Sequence, residues 1–512
     1  MRSDRRQYLK RLFAEQPWPL WLSVAVLAGL FYLAEALLHR CQNLPTSLFE
    51  QNSIIGAAIS TSWPFIAIVL LSLIVVIKNP RFKWNSPLWW VMAGPVVFLT
   101  WHLTTTQYNF YYASYFTADR IVILALGISC FFHPGFIGAF LASAYVYFAQ
   151  FNLPLQFSWT DKLVLLHALL ALFVWVGFRS FFSKLLDQRA APVLIFAIIG
   201  AFYLLPALGK IQIGWLQTTD LSYLLESAYH QNGWLSHLTP ERFESLASAT
   251  HSLNPVLLFV SLVAEISVLA LLLNRKLTLA ILGSLIALHV GIFVSSGIFF
   301  WKCIVLDLAV AIFALRLKDE SLFNRQTWLV CVVAMTCLAA ASPRVVLLAW
   351  YDSPLTYRFR FEAIGESGDR YELIADDFAP YDLQFAQARF YFTTQQRQLV
   401  DTFGTTKNAQ ILDALTLESA SENIDEIRNR FGALRYSEFQ RGQFERFLIQ
   451  YMKNSKPPAS FHPPHHIWTN QLQTATLPRY SHNEEIQQID VYLVERLSGV
   501  TIFEQLVQSI TR

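Results

Sequence analysis

The sequence predicts a mostly α-helical, polytopic membrane protein with about 11 spans and a small α+β extracytoplasmic domain at its C-terminal end. Three observations predict it. Of 512 residues, 54% are hydrophobic and 15% are charged, whereas a soluble domain carries roughly 25% charge. Apolar runs long enough for a bilayer, which takes about 20 residues per helix, recur along residues 1–350. Charge then changes: residues 1–350 hold 38 charged side chains with a net charge of +8, and residues 351–512 hold 37 with a net charge of −5. This composition excludes a disordered or collagen-like chain and argues against a wholly soluble enzyme. Residues 1–85 read as a cytoplasmic tail with two membrane helices, 86–350 as a multi-helix membrane domain, and 351–512 as the soluble domain.

The first run, Trp18 to Leu38, is interrupted by Glu35 and followed by no small-residue cleavage site. It is expected to remain as a membrane helix rather than to be removed as a signal peptide. Further runs begin near Ile54, Leu88, Ile121, Gly135, Leu163, Pro192, Pro255, Leu277, Trp301 and Thr327. Helices satisfy the backbone inside hydrocarbon, and the runs are apolar on all faces. His133-Pro134-Gly135 is expected to break two of them apart.

Basic residues fall in alternate loops: Arg2, Arg5 and Arg6; Lys78 and Arg81; Arg179, Lys184 and Arg189; Arg275 and Lys276; Arg316, Lys318 and Arg325. Cytoplasmic loops carry the excess of Lys and Arg. The expectation is a cytoplasmic N-terminus and a periplasmic C-terminal domain, in a bacterial inner membrane. All five cysteines precede residue 350, so the soluble domain is no disulfide scaffold.

In that domain, Tyr357 to Phe361 alternates as a strand, Gly365 to Asp369 reads as a turn, and Tyr371 to Ile374 returns. Residues 382–403, 408–418, 422–431 and 442–453 read as amphipathic helices, 455–482 as a loop, and Ile489 to Glu495 as a strand. There is no Gly-rich phosphate loop, no GxSxG elbow and no metal-spaced Cys pair. Nothing points to nucleic acid or to a metal.

Ionisable residues at membrane depth are functional candidates. Glu35 and His39 share a helix face near its end, and His102 and His133 sit at span ends, so reaching to the interface accounts for all four. His167 and Asp307 read as hydrogen-bonding glue between helices. Lys210 closes an apolar run, with Gly209 before it allowing close approach and Trp215 after it an interfacial anchor. It is either a snorkelling Lys or a buried Lys usable as a base. Glu265 and His289 lie mid-span on two neighbouring helices, open to pairing across helices or to proton transfer with a ligand.

At these residues the chain resembles a known family. Four features carry the likeness: Gly209-Lys210 followed by Trp215-Leu216; Glu265 with the turn Asn274-Arg275-Lys276; His289 followed by Gly297 to Val305; and Trp159 to Leu163, with Asp161 opening a helix. From about Gly127 to Leu317 they resemble the HTTM domain, the membrane domain shared with vitamin K-dependent gamma-carboxylases, in a bacterial-type form. The resemblance implies that Lys210 is the base that deprotonates a reduced, vitamin K-like quinone, that His289 lines the same cavity, and that Gly209, Trp215, Glu265 and Asp161 contact substrate. Carboxylases have a His where this chain has Asp161, so fold carries over better than reaction.

His462-Pro-Pro-His-His466 lacks the Cys or spaced carboxylates that complete a metal site and reads as a solvated loop. Three functions compete. One is a membrane enzyme acting on a lipophilic quinol or lipid-borne group. Another is a scaffold presenting the acidic domain to a periplasmic protein partner. The third is a transporter, which lacks the internal repeats such proteins commonly show.

Overall fold

The structure is a computed structural model. It describes residues 18–80, 86–105, 108–152, 163–182, 185–212, 214–318, 320–341, 353–387, 390–399, 409–417, 419–457, 461–472 and 475–512. The junction near residue 350 and Asp161 lie outside the described residues.

The first two thirds are helical. In chain order the helices are α1 (Leu20–Cys41), α2 (Ile54–Thr61), α3 (Trp63–Lys78), α4 (Ser86–Thr105), α5 (Thr117–Phe132), α6 (Phe136–Ala149), α7 (Leu163–Phe182), α8 (Ala190–Gln212), α9 (Trp215–Thr218), α10 (Leu221–Asn232), α11 (Pro240–Ile266), α12 (Arg275–Ser296), α13 (Trp301–Arg316) and α14 (Arg325–Ala341). Local sequence sets their ends. Ser53, Asp220 and Asn274 cap α2, α10 and α12 with side-chain oxygens. Gly233 and Gly297 close α10 and α12 at φ +66° and +71°, the left-handed region that favours glycine.

Five helices among the described residues are long and apolar enough to cross a bilayer: α1, α7, α8, α11 with its 3-10 continuation to Ala270, and α12. A sixth arises if α2 and α3, bent by 96° at Ser62, form one span. The expected count of 11 is therefore reached only in part. Several remaining runs form helices of 14 to 17 residues, such as α5, α6, α13 and α14, shorter than a straight crossing needs. The break at His133 to Gly135 is present, and every side chain of α6 from Ile137 to Ala149 is buried. That helix is enclosed by protein.

Large apolar side chains face outward elsewhere. Trp63, Leu70 and Ile77 share one face of α3 at seven-residue spacing, and Ile77 is 75% exposed. Val256, Phe259, Val260 and Val263 do the same on α11. So much outward apolar surface suits lipid, and the chain is a membrane-embedded protein.

Hydrogen bonds gather the helix ends into two groups. One holds Trp18 N to Leu185 O at 2.7 Å, His133 Nε2 to Asn79 O at 2.7 Å, and Trp328 Nε1 to Leu269 O at 2.7 Å. The other holds the α2 amides of Ile54 and Ile55, which donate to Asp119 at 2.9 Å, and Asn109 Nδ2 to Gln150 Oε1 at 2.7 Å. Lys78, Arg179, Arg189, Arg275, Lys276, Arg316 and Arg325 flank helix ends of the first group.

The last third is α+β. Strands β1 (Leu355–Gly365), β2 (Arg370–Leu373), β3 (Ile486–Leu497) and β4 (Val500–Thr511) form an antiparallel sheet ordered β2-β1-β3-β4. The helices are α15 (Asp382–Ala386), α16 (Ala409–Thr416), α17 (Ile424–Phe431) and α18 (Glu438–Asn454). The helix expected over 382–403 stops at Ala386. Beyond the undescribed pair that follows, Phe390, Tyr391 and Leu399 turn into the domain core, and Thr393-Thr394 favours extended backbone over helix. Strand β4 was not expected. Its signal is Ser498-Gly499, both at positive φ, the two-residue turn of a hairpin.

This domain sits on the second group of helix ends. Phe110, from the α4–α5 connection, enters its core against Phe447, Tyr381 and Tyr451 at ring distances of 5.1 to 5.3 Å. Residues 466–470 pair with the helical part through Phe299 N to His466 O at 2.7 Å, Trp468 N to Gly297 O at 3.0 Å and Asn470 N to Asn232 O at 2.7 Å.

Candidate functional site

Lys210 and Tyr203 stand seven residues apart on α8, two turns and so one face. Pro206 lies between them inside the helix. Lys210 Nζ donates to Glu265 Oε1 of α11 at 2.8 Å, with both side chains buried. Its ammonium also lies 4.9 Å from the ring centre of Trp215, at the start of α9. Lys210 is therefore buried and paired, and the snorkelling alternative is set aside. Gly209 precedes it in the same helix and is half-buried.

Tyr203 joins two further helices. Its hydroxyl donates to Asp307 Oδ2 of α13 at 2.6 Å and lies 2.8 Å from His289 Nε2 of α12. Asp307 thus bonds between helices, as expected of glue, but through Tyr203, which sequence reasoning missed. An aromatic in an apolar run gives little signal. The one available was its spacing from Lys210.

The two groups are joined through α8, whose Tyr203 and Lys210 side chains lie two turns apart on one face, about 10 Å along the axis. The structure so brings together Lys210, Glu265, His289 and Trp215, with Tyr203 and Asp307 added. Three buried polar atoms in this patch have no protein partner: Glu265 Oε2, His289 Nδ1 and Trp215 Nε1. Buried polar atoms are costly unless they are hydrogen-bonded, so each of the three leaves a hydrogen-bonding position open to a ligand or water.

The soluble domain closes the patch. His466 packs on Phe300 at 5.0 Å, and Phe300 packs on His289 at 5.1 Å. Trp301 Nε1 donates to Pro464 O at 3.0 Å. The His462 to His466 segment is therefore a docked strap, not the solvated loop expected. Its His465 Nδ1 bonds Asp382 Oδ2 at 2.8 Å. Burial works against the charged ring, but the bond to Asp382 and the charges of Asp382 and Asp376 raise its pKa to about 9. Among the described residues, no three His, Cys, Asp or Glu side chains are grouped to hold a metal.

Other membrane-depth candidates are structural. Glu35 turns into the bundle and pairs with His167 Nε2 of α7 at 3.0 Å, rather than reaching to the interface. His133 is buried, with Nδ1 accepting from Gly135 N at 2.9 Å, and fixes the α5–α6 break. Away from this patch, a cavity of about 640 Å³ lies between α10, the start of α11 and the β3–β4 turn. In its lining Asp220 pairs with His251, and Arg496 donates to the ring nitrogen Nδ1 of His230 at 3.0 Å. Glu226 there is pushed up to about 7 by burial and by Asp220.

Comparison with family models, with curated proteins and with solved structures gives no match for this chain.

Proposed function

We propose that this chain is an integral membrane protein of the HTTM, gamma-carboxylase-like type that takes a lipophilic hydroxyl compound of the reduced-quinone class at Lys210, Glu265 and His289 and removes a proton from it. One observation carries the reading. A buried ion pair, a hydrogen-bond chain and three unpartnered polar atoms meet between α8, α11, α12 and α13. These residues fit a weakly acidic hydroxyl on an apolar ring, which is the chemistry a quinol supplies when bound. Glu265 Oε2 and His289 Nδ1 offer hydrogen-bonding positions, and Trp215 Nε1 offers a donor. Lys210 supplies positive charge where an oxyanion would form. Lys210 and His289 are the two groups placed to exchange a proton with it.

The outward apolar side chains support delivery of such a compound from the bilayer. The basic residues gathered at one group of helix ends support a cytoplasmic face there, with the C-terminal domain on the periplasmic side. A scaffold that merely tethers this domain is less well supported, because the domain packs into the helical part through Phe110 and residues 464–470.

The test is to purify the protein in mild detergent, extract it with organic solvent and identify retained molecules by mass spectrometry. The reading predicts a near-stoichiometric quinone or related isoprenoid lipid, lost from Lys210→Ala. Because that variant strands Glu265, Lys210→Met combined with Glu265→Leu serves as a folded control that also loses the lipid. Only bulk bilayer lipid in the native protein, or full retention by both variants, would overturn the reading.

A further inference from the structure

Arg496 and Glu226 both line the cavity of about 640 Å³ between α10, the start of α11 and the β3–β4 turn, and neither has a counter-charge among the described residues. Arg496 of β3 donates from Nη1 to His230 Nδ1 at 3.0 Å and from Nε to Thr501 Oγ1 at 3.1 Å. A guanidinium only donates, so the His230 ring accepts and is neutral. Burial and the Arg496 charge push the His230 pKa down to about 4. Glu504 of β4 pairs with Arg360 instead. On the other side, Glu226 of α10 has its Oε2 buried without a hydrogen bond. Asp220 is engaged by His251 and by the cap of α10, and Glu244 of the lining is exposed to water. Glu226 and His230 stand four residues apart on α10, one turn and about 6 Å along the axis. Glu226 is thus about one turn from the ring that holds Arg496.

We propose that this cavity binds a small zwitterion, with a primary ammonium held by Glu226 and an oxyanion held by Arg496, as an ethanolamine phosphate group presents them. None of its lining residues belongs to the Lys210 site, so the proposal does not rest on the reading of that site. An anion alone would leave the Glu226 carboxyl unmet, and a cation alone would leave Arg496 without a counter-charge. One molecule carrying both groups on a short linker meets both. A primary ammonium brings N–H donors to a carboxylate, and the guanidinium fork suits a phosphate. Tyr229 and Phe243, stacked at 3.9 Å, line the cavity and give the carbon linker an apolar wall. Gly499, at φ +78°, lets the β3–β4 turn pass close over His230, where a Cβ would lie 3.2 Å from Nε2. A run of outward apolar side chains on α11, Leu253, Val256, Leu257 and Phe259, starts two residues past His251 of the lining. The cavity therefore adjoins the bilayer surface, where phospholipid head groups carry this pair of charges. Free ethanolamine phosphate carries the same chemistry.

The test is isothermal titration calorimetry of the full-length protein, purified in detergent and freed of phospholipid, with O-phosphoethanolamine at about pH 8. Glu226, pushed up to about 7 by burial and Asp220, is ionised there. The wild type is expected to bind this probe about tenfold more tightly than ethanolamine, which lacks the oxyanion, or inorganic phosphate, which lacks the ammonium. Phosphocholine, whose ammonium has no N–H, should also bind about tenfold more weakly. These comparisons use the wild type alone and so need no variant to fold. Glu226→Gln and Arg496→Gln should each weaken O-phosphoethanolamine binding by about tenfold. No binding of the probe, equal affinity for it and inorganic phosphate, or full affinity in both variants would overturn the proposal. The same titration in nanodiscs separates the two sources. If the occupant is a lipid head group, phosphatidylethanolamine in the disc abolishes the binding that persists in phosphatidylcholine alone. If it is the free compound, binding is equal in both discs.

Discussion

Lys210 on α8 and Glu265 on α11 meet at 2.8 Å with both side chains buried. Among the described residues, each is the other's ion-pair partner. Removing one partner of a buried pair leaves the other uncompensated, a loss of about 3–5 kcal/mol. Lys210→Ala and Glu265→Ala are each expected to lower the thermal midpoint sharply in detergent. Lys210→Met with Glu265→Leu should recover most of the loss, because apolar groups of similar volume replace such pairs at little cost. A double variant no more stable than the single ones would contradict this account of the pair.

The docked strap should be pH-sensitive through His465. Its pKa is raised from an unfolded value of 6.5 to about 9 by Asp382 and Asp376. A raised folded pKa means the stabilisation is fully present below about 6.5 and is lost as pH rises through about 9. The magnitude is on the order of 3 kcal/mol, from 1.36 kcal/mol per pKa unit. Hydrogen exchange of residues 461–472 should therefore speed up between pH 7 and pH 9.5 beyond the intrinsic base-catalysed increase. In His465→Gln that extra increase should vanish.

Gly233 and Gly297 hold the seam between the two parts. Both lie at positive φ, and a Cβ on Gly233 would come 2.1 Å from Asn470 O, while one on Gly297 would come 2.9 Å from the Trp234 ring. Gly233→Ala is expected to loosen the strap, cost about 1 kcal/mol or more of stability, and raise proteolysis near residues 466–472. Unchanged cleavage there would show that the seam does not depend on this turn.

Much of this was legible in the sequence, for physical reasons that differ by element. Period-two alternation marked β1 and β3, since half-buried strands leave that pattern. His133 to Gly135 marked a break because proline and glycine interrupt helix pattern locally. Strand β4 escaped because it is an edge with mostly exposed side chains, so burial imposed no alternation on it. Lys210, Glu265 and His289 stood out as charges in apolar runs. The pairing of Glu35 with His167 did not, because contact between distant helices leaves no local trace. Tyr203 escaped for a related reason: its role comes from its two hydrogen-bond partners, not from its residue type.

Sidedness is open to direct measurement. Gln505→Cys lies on exposed β4 and Lys318→Cys lies at the opposite group of helix ends. In intact bacterial cells, an impermeant thiol reagent should label Gln505→Cys once the outer membrane is opened, and should spare Lys318→Cys. The reverse pattern would invert the proposed orientation.

The central claim is that a bilayer-borne hydroxyl compound sits among Lys210, Glu265 and His289. A cryo-electron-microscopy map of the protein in lipid nanodiscs tests it most directly. The account predicts non-protein density within hydrogen-bonding distance of Glu265 Oε2 and His289 Nδ1, extending toward the apolar surface. Protein side chains satisfying both atoms, with no such density, would contradict it.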